Sequence, residues 1–101
     1  MIIPTRITVG NHRYTIRMLK YMPRKGIMGT VHYDLGTIQL ATHSNTSNAR
    51  YSPLRLQETF WHEVTHAILE DMGQHELNRN EAFVTQFANR LTVAIKTAKF
   101  E

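Results

Sequence analysis

Apolar and polar positions alternate with a period of two along the first forty residues, and with a period near 3.6 from Ser52 onward. In the first stretch, Ile7-Thr8-Val9 and Tyr14-Thr15-Ile16 are β-formers flanking Gly10-Asn11, a pair suited to a tight turn, and they predict a hairpin. Ile7 and Val9 share one face and oppose Tyr14 and Ile16, while Arg13, Thr15 and Arg17 point to the other side. A connector over 22–29 holds Pro23, Gly26 and Gly29. Thr30-Val31-His32-Tyr33 and Thr37-Ile38-Gln39-Leu40-Ala41 then predict a second hairpin, turned through Asp34-Leu35-Gly36.

Residues 42–52 are polar and loop-like. Ser52-Pro53 marks a helix start, with serine as N-cap and proline at the first helical position. Leu56, Phe60, Val64, Ala67 and Ile68 recur at helical spacing up to Gly73, a natural stop, and predict a helix over 52–73. Asn78 is the expected N-cap of a second helix over 78–99, whose buried stripe is Phe83, Phe87, Leu91 and Ile95 with Ala94 and Ala98. Strands followed by helices predict an α+β fold. Its expected form is a small antiparallel β-sheet over 1–41, with the two helices antiparallel to each other on one face. The whole of 1–101 is expected to be a single domain.

Composition narrows the chemistry. With 42% hydrophobic and 20% charged residues the chain is ordinary for a globular domain. It has no cysteine, which excludes disulfides, thiolate metal sites and cysteine nucleophiles. No stretch is long and apolar enough to span a membrane, and the early Arg6 with its short apolar run does not suit a signal peptide, so a cytoplasmic location with no membrane partner is expected. Residues 1–50 carry seven basic side chains and one acid, Asp34; from Tyr51 onward five basic residues face seven acids. Arg6, Arg13, Arg17, Lys20, Arg24 and Lys25 could form a basic face for nucleic acid. No nucleic-acid motif accompanies them, so a solvated strand face is the simpler expectation and nucleic acid is not the expected partner.

The chemistry-bearing motif is His62-Glu63-Val64-Thr65-His66. A spacing of four on a helix puts His62 and His66 on one face, one turn apart, where both imidazoles can hold one ion. Glu63 lies about 100° further round, off the ligand face but near enough to reach a metal-bound water. Zinc lowers the pKa of such a water to about 7, and a carboxylate then accepts its proton and delivers it to a departing amine. A catalytic zinc takes three protein ligands. The candidates for the third are Glu70, His75, Glu76 and Glu81. A short connector would carry Glu81 back past the histidines, but Asn78 and Glu81 also have the spacing of a capping box, and spacing leaves both roles open.

His62-Glu63-Val64-Thr65-His66-Ala67 followed by Asn80-Glu81 resembles the gluzincin pattern of zinc metallopeptidases, an HExxH helix with a downstream glutamate helix. The layout also resembles the short HExxH peptidases of phages and mobile elements, of the ImmA/IrrE type, and the minimal gluzincins. The resemblance implies zinc bound by His62, His66 and Glu81, with Glu63 as general base. The chain departs from thermolysin-like enzymes in its shorter interval from His66 to Glu81. It also has Val84-Thr85 where they carry an acid, so only the Thr85 hydroxyl is available there to orient a ligand histidine. Leu69 stands where metzincins require glycine, which excludes that family.

Tyr33, Tyr51 and His75 are oxyanion-stabilising candidates by type. The strand Thr37–Ala41 is the expected exposed edge on which an extended peptide would pair. The expected function is therefore hydrolysis of peptide bonds in a protein substrate; the resemblance suggests a repressor or host factor. The competing readings are a zinc-binding module that binds a partner protein without catalysis, and a nucleic-acid-associated protein.

Overall fold

Four strands and three helices follow one another among the described residues, 3–100, of the computed structural model. They are β1 (Arg6–Val9), β2 (His12–Leu19), β3 (Gly29–His32), β4 (Thr37–Ala41), α1 (Pro53–Asp71), α2 (His75–Arg79) and α3 (Glu81–Thr97). Met1, Ile2 and Glu101, the ends of the expected 1–101 domain, lie outside the described residues. The fold is α+β, and no helix among the described residues is long and apolar enough to cross a membrane.

Both expected hairpins form. Ile7 pairs with Tyr14 and Thr8 with Arg13; Val31 pairs with Ile38 and His32 with Thr37. They are joined differently from the expectation. The strand order is β1-β2-β4-β3, and β2 runs parallel to β4, with Ile16 beside Ile38 and Arg17 beside Gln39. The sheet is thus mixed, not antiparallel throughout, and β4 is an interior strand while β1 and β3 are the edges. The physical reason is the length of chain over 20–36, which includes β3 and is enough for the crossover that a parallel pair needs.

One sheet face is covered by α1. Ile16, Ile38 and Leu40 meet Phe60, Val64 and Ala67 in the core, and Ile38, Leu40 and Phe60 have no exposed surface. Gly29 marks the closest approach: a Cβ there would lie 2.9 Å from the Thr59 methyl and 3.1 Å from the Gln39 carbonyl oxygen. Glycine lets β3 lie directly against α1.

The start of α1 is as expected: the Ser52 hydroxyl accepts from the Arg55 amide at 3.2 Å, and Pro53 is the first helical residue. The helix ends at Asp71. Gly73, at φ 71°, lets its amide bond the Glu70 carbonyl and the Gln74 amide bond that of Leu69, the pairing of a Schellman stop. The next turn differs from the expectation. Residues His75–Arg79 form the short α2, and α3 begins at Glu81 with Asn80, not Asn78, as its cap; the Asn80 side chain accepts from the Phe83 amide at 3.1 Å.

The buried stripe of α3 is also shifted. Val84, Ala88 and Thr92 are buried, whereas Phe83 and Phe87 stack on each other with ring centres 5.8 Å apart, and Phe87 is 46% exposed. α3 packs on α1 and α2 with no strand beneath it. Only a narrow face can be covered by one neighbouring helix, and small residues along that face allow the closer approach.

Candidate metal centre

α1 presents His62 and His66 one turn apart, with ring centres 5.0 Å apart. The Glu81 carboxylate meets both: one oxygen is 3.2 Å from His62 Nε2 and the other 3.0 Å from His66 Nε2. This is possible because Asn80 takes the cap. Glu81 then sits at the first position of α3 with its side chain free, and the capping-box role for it is lost. The two histidines are largely covered, whereas the Glu81 side chain is 67% exposed, so the group opens to solvent on the α3 side.

His66 is held from behind. Its Nδ1 lies 2.5 Å from the Asn78 side-chain oxygen, and Asn78 Nδ2 donates to the Tyr33 hydroxyl at 3.1 Å. With the amide oxygen as acceptor, Nδ1 is the donating nitrogen and Nε2 is the one turned toward Glu81. Nε2 faces a carboxylate oxygen at 3.0 Å, a separation that a shared proton or a metal ion can bridge. Burial holds His62 below the usual histidine range, against the opposing pull of Glu81, which favours its neutral, ligating form.

The donor set fits a metal ion. One ligand atom from each of His62, His66 and Glu81 lies within 4.8 Å of the others. Ligands about 2.0 to 2.1 Å from an ion at tetrahedral angles lie about 3.3 Å apart; here the two imidazole nitrogens reach different oxygens of Glu81, at 3.2 and 3.0 Å. Two imidazoles and a carboxylate are the borderline donors that suit zinc and its neighbours in the first transition row.

A cleft of about 450 Å³ opens over this group. Glu63 lines it, although its side chain is largely buried, and burial pushes its carboxyl up to about 7, with the nearby Glu81 charge adding to the rise and His66 opposing it. Arg55 and Thr59 line the cleft from the N-terminal turns of α1, Thr85 and Asn89 line it from α3, and Gly29 lies along it on β3.

Of the four candidates for a third ligand, the fold brings only Glu81 to the histidines. Glu70 and His75 face each other at 3.9 Å away from the group, and Glu76 lies on α2. Thr85 lines the cleft, but the partner of His66 is Asn78. Tyr51 and His75 are not on the cleft wall, and Tyr33 serves as the acceptor behind Asn78. Arg55 and Asn89 are the wall donors that the sequence reading missed. Arg55 could have been found, because it precedes His62 by seven residues on the same helical face. Asn78 carried no such signal.

No family model matches the chain, and comparisons with curated proteins and with solved structures likewise return no match.

Proposed function

We propose that the protein is a gluzincin-like zinc metalloendopeptidase, with His62, His66 and Glu81 holding zinc and Glu63 as general base. The observation that carries this reading is the convergence of two imidazoles and a carboxylate, from separate helices, beside a buried glutamate in one cleft. Zinc bound there would supply a Lewis acid that polarises a substrate carbonyl and brings a water within reach of deprotonation at neutral pH.

This chain's own residues do the rest. Glu63, whose carboxyl sits at about 7, exchanges a proton near neutrality; it takes one from water and delivers it to the amine that departs. Asn78 fixes the ring of His66, and Tyr33 fixes Asn78. Arg55 and Asn89 offer donors to a substrate lying in the cleft. The open edge beside the cleft is β3, so an extended peptide would pair there and not on β4.

Protein purified without added zinc is expected to carry close to one zinc per chain; less than about half an equivalent overturns the metal assignment. Glu63→Gln is expected to retain zinc and lose cleavage of an unfolded protein such as casein. Cleavage that survives this change removes Glu63 from its role.

A further inference from the structure

The sheet face turned away from α1 is a surface with its own chemistry. The register places Arg6 beside Thr15, Thr8 beside Arg13, and Arg17 beside Gln39. Across the remaining strands Thr15 lies beside Thr37, Thr30 beside Gln39, and His32 beside Thr37. Each ladder pair shares a face, so all nine of these side chains point outward while Ile7, Tyr14, Ile16 and Ile38 point to α1. Three are arginines; the other six are four threonines, Gln39 and His32, all able to donate hydrogen bonds.

The acids lie elsewhere. Glu58, Glu63 and Glu81 line the cleft, and Asp34, Glu70 and Asp71 line a second pocket with the inward-facing Tyr14. Among the described residues, no carboxylate lies within ion-pair distance of Arg6, Arg13 or Arg17. All three are exposed. The folded chain thus separates its charges: carboxylates on the helical side, and unpaired guanidinium groups on the open sheet.

We infer that this open sheet face binds a DNA duplex through its phosphates, without reading sequence. Arg13 and Arg17 are four residues apart on β2, about 13 Å along the strand, and Arg6 sits beside their midpoint on the neighbouring strand. Over that length a duplex presents about four phosphates on each strand. Guanidinium forks match phosphate oxygens in a way that lysines do not, and the surrounding threonines and Gln39 add neutral donors to phosphate and sugar. The one ring among these nine positions is His32, on the edge strand away from the arginines, so the arginine-bearing strands carry no row of rings on which successive single-stranded bases could stack. The cleft opens on the opposite side of the sheet from this face, and the two sites can be filled together.

The test is fluorescence anisotropy with a 20-base-pair duplex of arbitrary sequence across a salt series. Three phosphate contacts give a slope of log affinity against log salt of about −2.7. Replacing Arg6, Arg13 and Arg17 together by Gln is expected to weaken binding at least tenfold at low salt and to flatten the slope. Replacing Arg79, Arg90 and Lys96 by Gln removes the same charge from the helices and is expected to leave binding within about twofold. The inference is overturned by absence of binding at low salt, by equal losses in the two triple variants, or by tighter binding to a single strand of the same length. It is equally overturned if vesicles containing phosphatidylserine compete as well as the duplex at matched charge. Circular dichroism of both variants checks that the fold is kept.

Discussion

An imidazole is a metal ligand only while the correct nitrogen carries the lone pair, and at His66 that condition is set by Asn78. The chain of contacts runs from His66 through the Asn78 amide to the Tyr33 hydroxyl, tying α1, α2 and the end of β3 to one nitrogen. Asn78→Ala is expected to lower zinc affinity about 10- to 100-fold in competition with a chelator. Asn78→Asp retains an acceptor at the same place and is expected to restore most of it; equal losses in the two variants would show that the amide oxygen plays no part. His62, Glu63 and His66 were legible in the sequence because their relation is confined to one helix, where spacing alone sets direction. Asn78 reads as a helix cap in the sequence for a physical reason. Its residue type suits that role, and only the one-turn α2 moves the cap two residues on to Asn80 and turns Asn78 back to the histidine. A five-residue helix has too little propensity of its own to be seen in a sequence.

At the scale of elements, α3 shows how the same residues can satisfy two helical stripes. The aromatic stripe through Phe83 and Phe87 is the more hydrophobic, yet the face packed on α1 is the smaller one of Val84, Ala88 and Thr92. Enlarging a residue on that face should therefore matter more than truncating one beside it. Ala88→Leu is expected to destabilise the fold by about 1–3 kcal/mol, and Phe87→Ala by roughly 1 kcal/mol or less, since half its surface already meets water. Urea unfolding of the two variants checks this, and a larger loss for Phe87→Ala would mean that α3 is rotated from the position described. The sheet was legible in part for a related reason. Period-two alternation in β2 and β4 reveals which side chains point inward, but it is identical for parallel and antiparallel neighbours. The hairpins, whose turns are local, could be read; the β2–β4 pairing, a choice between strands with residues 20–36 between them, could not.

The molecule as a whole is a sheet with α1 fixed to it and α3 fixed only to helices. Strands and α1 share the core around Ile38, Leu40 and Phe60, whereas α3 rests on α1 and α2 alone. The α+β character and the strand-then-helix order were legible throughout, because they need only the change of hydrophobic period near Ser52. The attachment of α3 has a consequence for motion. With two of the proposed ligands on α1 and the third on the first turn of α3, an ion bound there would cross-link the fixed part to the loosely held part. Without it, α3 should open as a unit of its own at lower free energy than the sheet. Zinc at one hundred times its dissociation constant should then slow amide exchange at Val84, Ala88 and Thr92 about a hundredfold, with strands β2 and β4 little changed. Exchange in α3 that ignores a bound ion would show the two helices to be joined by packing alone. In the expected case the ion governs when the wall of the cleft that bears Thr85 and Asn89 is in place, so the metal would set the lifetime of the binding surface as well as the chemistry inside it.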